Sequence, residues 1–106
     1  MGMTRIKRLN TEIVCSDGFS MSVQANEYAY CEPRHGDAKA YTHVEVGFPT
    51  EPEELLLDYA EDRDDPTGTI YGYVPVALVY AGIVKHGGVI SGRLPNGIPD
   101  CLPELL

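Results

Sequence analysis

The dipeptide Asp17-Gly18 stands between two β-prone runs, and no other local feature of the chain constrains its fold as strongly. Asp and Gly accept the positive backbone angles that a tight hairpin needs. Behind the turn, residues 19–25 alternate strictly. Phe19, Met21, Val23 and Ala25 share one side, and Ser20, Ser22 and Gln24 share the other. A period of two describes a half-buried strand, because a one-residue slip would turn its whole apolar set to water. Residues 12–15 are predicted as its partner. A third strand is predicted over 41–48, with Thr42, Val44, Val46 and Phe48 opposite Tyr41, His43 and Glu45. Residues 26–39, with Pro33, Gly36 and mixed charge, read as a loop holding a short extended piece at 28–31.

Two helices are predicted after these strands. Thr50 and Glu53 have capping-box spacing, in which a hydroxyl and a carboxylate satisfy each other's backbone amides. Pro52 falls in the first turn, where it removes no helical hydrogen bond. This helix is expected over 50–61 and must end before Pro66. After the turn Asp65-Pro66-Thr67-Gly68 comes a strand over 69–74, whose alternation places Tyr71 and Tyr73 on one face, opposite Ile70 and Val74. Pro75 opens a second helix over 76–86, and Gly87-Gly88 ends it. Lys85 and His86 fall in its last turn, where the helix dipole favours cations. Val76, Leu78, Val79, Ile83 and Val84 make this helix apolar nearly all round, as in a deeply buried helix or half of a dimer contact.

A strand over 89–91 and a Pro/Gly-rich arm over about 92–106 complete the chain. At 106 residues, 43% hydrophobic and 23% charged, the chain is one globular domain with a single core. The order βββαβα(β) makes residues 1–106 a small α+β domain. Its sheet should be mainly antiparallel, with four or five strands and two helices on one face.

Sixteen acids against eight bases give a net charge of −8. Direct binding to nucleic acid or an anionic membrane by charge neutralisation is excluded, since both need surplus positive charge. The excess is local. Residues 51–65 hold eight acids and one base, Arg63, for a net of −7 out of the −8. Glu51, Glu54, Asp58, Glu61 and Asp65 step by three and four, which would align them on one helical face, with Leu55, Leu56, Tyr59 and Ala60 opposite. A helix N-terminus favours Glu51, Glu53 and Glu54, but not Asp58, Glu61, Asp62, Asp64 and Asp65. One reading is a solvated face followed by an acidic turn. The other is an anionic surface spaced like the phosphates of a nucleic-acid strand and aimed at a basic groove. Asp62, Asp64 and Asp65 do not make a calcium loop, because Pro66 and Thr67 stand where such a loop needs a ligand and a glycine.

No hydrolase elbow, phosphate loop or zinc-helix motif occurs, so the chain is expected not to be an enzyme and to need no cofactor. Cys31 with His35 or His43 is the one pair with the composition of a thiol nucleophile. Cys31, His35, Cys15 and Cys101 could together suggest a metal, but no CxxC supports it, and small buried thiols are the plainer reading. The N-terminus has no apolar signal core, and Ile6 stands where myristoylation wants Ser or Thr. Cys101 lies too early for prenylation. The expectation is a cytoplasmic protein with reduced cysteines.

Residues 21–25, 30–34, 44–49, 59–62, 71–76 and 85–88 resemble segments of small uncharacterised proteins encoded by bacteriophages. By analogy of type, the size and acidity are similar to anti-CRISPR proteins, many of which mimic DNA or block a nucleic-acid channel. The resemblance implies a non-enzymatic inhibitor in the host cytoplasm. Its partner would be a host protein or nucleoprotein complex with a basic groove, for example a CRISPR effector. Glu51, Glu54, Asp58, Glu61, Asp62, Asp64 and Asp65 would supply charge, and Tyr59, Tyr71 and Tyr73 anchors. The alternative is a structural or assembly accessory protein, homodimeric through helix 76–86.

Overall fold

The computed structural model describes residues 10–99. The end of the predicted arm and Cys101 lie outside the described residues. Strands β1 (Ile13–Cys15), β2 (Ser20–Gln24), β3 (His43–Gly47), β4 (Ile70–Pro75) and β5 (Val89–Ser91) form one antiparallel sheet, in the order β4-β3-β2-β1-β5. A 3-10 helix (Glu54–Tyr59) lies between β3 and β4, and helix α1 (Val76–Lys85) between β4 and β5. The α+β class, element order and antiparallel sheet are those expected. No helix among the described residues is long and apolar enough to cross a membrane.

β4 and β5 occupy opposite edges, so α1 carries the chain across the sheet. Ten residues at 1.5 Å each give about 15 Å, against about 19 Å between the edge strands of a five-stranded sheet. Val79, Gly82 and Ile83 of α1 are buried, whereas Tyr80 and Val84 are exposed. Helix α1 therefore buries one face instead of being enclosed all round. It packs against the 3-10 helix and β4.

The β1–β2 hairpin forms around Asp17-Gly18. Gly18 N donates to Cys15 O and Cys15 N to Phe19 O, closing a three-residue loop. Gly18 has φ +95°, the left-handed residue that this loop requires. Ile13, Cys15, Phe19, Met21 and Val23 are all buried, joined from β3 by Val44 and Val46. The alternation read from the sequence is thus the core-facing pattern. It fails at both ends of the predicted third strand: Tyr41 is buried and Thr42 exposed, and Phe48, with φ +51° at the end of β3, is exposed.

Two expectations are corrected. In β4, Val44 pairs with Val74 and Val46 with Tyr71, so two residues of β3 face three of β4. The extra residue is a bulge with Tyr73 at φ +52°. It resets the alternation: Tyr71 and Val74 both enter the core, each 0% exposed, while Tyr73 turns out to solvent. Tyr71 and Tyr73 do not share a face, and Tyr71 is no surface anchor. Its hydroxyl donates instead to Pro66 O.

The predicted 50–61 α-helix is also shorter and tighter. Thr50 caps nothing: its N donates to Ser20 O and its Oγ1 accepts from Ser20 N, tying it to β2. At the other end, Ala60 bridges to Tyr71 and Glu61 N donates to Ile70 O, which draws the chain out along the edge of β4. Nine residues lie between these anchors, too few for a stable α-helix, and the last six, Glu54–Tyr59, coil as 3-10.

Gly92 (φ +99°) passes so close to β1 that an added Cβ would lie 2.2 Å from Glu12 O and 2.5 Å from Ile13 Cα. At Gly18 an added Cβ would meet nothing within 4 Å. Gly18→Ala should therefore lose only about 1 kcal/mol, the left-handed penalty, whereas Gly92→Ala should lose about 3 kcal/mol or more because backbone must move as well. Urea unfolding of both variants beside the parent checks this. Equal losses would refute the close packing of β5 on β1.

Candidate functional site

Four ionisable side chains from three separated parts of the chain meet beneath the C-terminal end of α1. Asp17 comes from the β1–β2 turn, Glu53 from the residue before the 3-10 helix, and Lys85 and His86 from the end of α1. Pro52 and the Thr50 anchor bring the chain in extended form to Glu53, whose side chain points inward and is 1% exposed. His86 follows the last helical residue, and Gly87 (φ +92°) and Gly88 (φ +91°) turn the chain away toward β5.

His86 is held on both nitrogens. Nδ1 lies 2.7 Å from Asp17 Oδ2, and Nε2 lies 2.8 Å from Glu53 Oε1. Carboxylates only accept, so both nitrogens must donate and the ring is an imidazolium. Glu53 Oε2 accepts from Lys85 Nζ at 2.9 Å and from Leu55 N at 3.1 Å. The second Asp17 oxygen accepts from Phe19 N at 2.9 Å. The Phe19 ring stacks on His86 with centroids 3.9 Å apart and planes 9° from parallel. Two positive and two negative charges leave the group neutral, and every carboxylate oxygen has a donor.

The proton affinities follow from this geometry. For His86, burial opposes the charged form, but the bonds to Asp17 and then Glu53 outweigh it and raise the pKa above 6.5. Burial likewise opposes the Glu53 carboxylate, yet Leu55 N, Lys85 and His86 hold its pKa below 4.5. Phe19 N, followed by His86, lowers that of Asp17 below 3.8. Lys85 is raised from 10.5 by its bond to Glu53, against the effect of desolvation. With both ring nitrogens engaged, His86 has no lone pair with which to take a proton from a substrate. The cluster ties elements together and presents no nucleophile.

The acidic segment is arranged differently from its sequence reading. Glu51, Glu54, Asp58, Glu61, Asp62, Asp64 and Asp65 are all exposed, but they do not lie on one helical face. Glu54 and Asp58 sit on the 3-10 helix, Glu61 follows it on the edge of β4, and Asp62, Asp64 and Asp65 line the turn beyond. Asp62 closes that turn by accepting from Asp64 N on Oδ1 and from Asp65 N on its carbonyl. Arg63 pairs with Asp58 at 3.3 Å, an exposed contact of little energetic weight. Tyr59 is half-buried against the core.

Tyr73 belongs to an exposed cluster that was not apparent from spacing. Its ring lies 5.9 Å from that of Tyr30, and the Arg34 guanidinium sits 5.5 Å from the Tyr30 centroid. Tyr73 N, at the bulge of β4, donates to Tyr30 O, and Tyr30 N donates to the Glu45 side chain of β3, whereas residues 60–61 meet β4 at Tyr71 and Ile70.

The cysteine readings find no support in the contacts. Cys31 Sγ donates to Asn26 O and Pro33 O, and burial raises its pKa. His35 pairs with Asp37 and His43 Nδ1 with Thr42 Oγ1. Among the described residues, no group of three or more His, Cys, Asp or Glu could hold a metal ion.

Sequence reasoning did not find the Asp17–Glu53–His86 group. Its members lie 69 and 33 residues apart along the chain, beyond any periodicity. Glu53 is one of three acids, with Asp62 and Asp64, out of step with the five spaced by three and four, so spacing does not single it out. No protein-family model matches this chain, and neither a curated protein nor a solved structure matches it.

The cluster sets the pH dependence of stability. Glu53 and Asp17, with lowered pKa values, stabilise the fold fully above 4.5 and 3.8, and that contribution is lost as pH falls through their folded values. His86, with a raised pKa, contributes fully below 6.5 and is lost as pH rises through its folded value. Stability should therefore be greatest between pH 4.5 and 6.5. Denaturant unfolding across pH should show decline on both sides, and His86→Gln should flatten the alkaline limb. Glu53→Ala should lose about 3–5 kcal/mol, because it strands the buried imidazole.

Proposed function

We propose that this protein is a non-enzymatic, phage-type inhibitor of the anti-CRISPR kind, which binds a nucleic-acid-handling complex through an anionic surface that takes the place of DNA. The observation carrying this reading is the division of labour among the acids of residues 51–65. Seven are exposed and, among the described residues, hold no structural ion pair beyond Asp58–Arg63, whereas Glu53 alone is buried and neutralised by Lys85 and His86. A segment needing only solubility would intersperse lysines and spare itself the repulsion between neighbouring acids. Tyr73, with Tyr30 and Arg34, adds the residue types that anchor protein interfaces. Tyr59 supports the surface from beneath. A basic groove with a host protein around it, for example that of a CRISPR effector, has the complementary charge. Association would be fast and would weaken with salt.

A second reading, a homodimeric accessory protein, is favoured by the outer face of α1, where Tyr80 and Val84 are 40% and 51% exposed. Light scattering at two concentrations separates the two, since a concentration-dependent dimer without a heterologous partner supports the second.

Replacing Asp58, Glu61 and Asp65 together by Lys should leave the fold intact, as all three are exposed, and should abolish capture of the host partner in a pull-down. The parent should capture it at low salt and release it at high salt. A triple variant that folds and still captures the partner refutes the reading.

A further inference from the structure

We propose that the Asp17–His86–Glu53 bridge is a proton-operated latch, which frees the Asp17 side chain of the β1–β2 turn from the His86 ring when His86 gives up its proton, while Glu53 keeps its hold. The proposal is independent of the partner-binding reading and concerns the fold's own response to pH.

The asymmetry of the two carboxylates carries the inference. A neutral imidazole has one N–H and one lone pair, so it can satisfy only one of the two acids at 2.7 and 2.8 Å. The other then faces a lone pair at hydrogen-bond distance and must move. Glu53 is 1% exposed on its side chain, enclosed by Lys85, Leu55 N and the ring, and has nowhere to hydrate. Asp17 is 49% exposed, keeps its bond from Phe19 N, and can turn to water. The remaining proton therefore stays on Nε2 toward Glu53, and the Nδ1 contact to Asp17 opens.

The surroundings of the ring add no competing charge among the described residues. The turn supplies Asp17, the segment before the 3-10 helix supplies Glu53, and α1 supplies Lys85, whose ammonium is engaged with Glu53. Glu51 and Glu54 act on Lys85 at longer range. Phe19, at the head of β2, offers an uncharged ring that stacks on the cation more favourably than on the neutral imidazole. The main-chain bonds Asp17 N to His86 O (3.2 Å) and Ser16 N to Gly88 O (2.9 Å) need no proton from the ring. They hold the turn in place, so the opening is local and reversible and does not unfold the hairpin.

The test is a pH titration of the intact chain, ¹⁵N-labelled, followed by NMR of the His86 ring nitrogens and of the Gly18 and Phe19 amides. The expected result is an Nε2–H tautomer at high pH, with the two amides shifting at the same midpoint as the ring. Asp17→Asn should lower that midpoint and shrink the amide shifts, because an amide can donate to the deprotonated Nδ1 as readily as it accepts from the protonated one. An Nδ1–H tautomer at high pH overturns the proposal. So do hairpin amides that ignore the ring, or a midpoint unmoved by Asp17→Asn.

Discussion

A carboxylate 1% exposed in a small domain has to be met by donors on both oxygens, and the structure is arranged around meeting that demand at Glu53. Lys85 and His86 from α1 and Leu55 N from the 3-10 helix supply them. Asp17 then completes the imidazole that Glu53 recruits. One residue thus fixes the end of α1 against the 3-10 helix and, through His86, against the hairpin turn. These are the junctions that a five-stranded sheet with a crossover helix cannot secure by its ladders alone. Buried ion pairs add little net stability when compared with apolar replacements, but they penalise alternative arrangements heavily, since any misplacement leaves a charge without a partner.

The same interaction explains why the acidic segment is not a helix face. Glu53 is pulled inward, Thr50 is bound to β2, and Ala60 and Glu61 are drawn onto the edge of β4. The acids between and beyond these anchors are spread over a short 3-10 coil and a turn. A net charge of −8 is therefore a statement about one stretch of surface, with a single internal exception that is neutralised where it lies.

Much of the scaffold was legible from local chemistry. The Asp17-Gly18 turn, the alternation through Phe19, Met21 and Val23, the start of α1 after Pro75 and its stop at Gly87-Gly88 each rest on neighbours in sequence, and each is present. The β4 alternation misled because a bulge inserts one residue and inverts every side chain on one side of it. That event depends on pairing with β3 and leaves no mark in β4 itself. The capping box misled because Thr50 and Glu53 both found stronger partners far away in the chain.

By itself the sequence determined the antiparallel α+β architecture, the core faces of the first strands and the location of the negative charge, because periodicity and turn chemistry act over a few residues. Only the tertiary structure decided which tyrosine faces water, how the acids are laid out, and that Asp17, Glu53 and His86 form one hydrogen-bonded unit. Those outcomes depend on which strand pairs with which and on where a buried charge finds its counter-charge, and both are set by contacts between residues 23 to 69 positions apart.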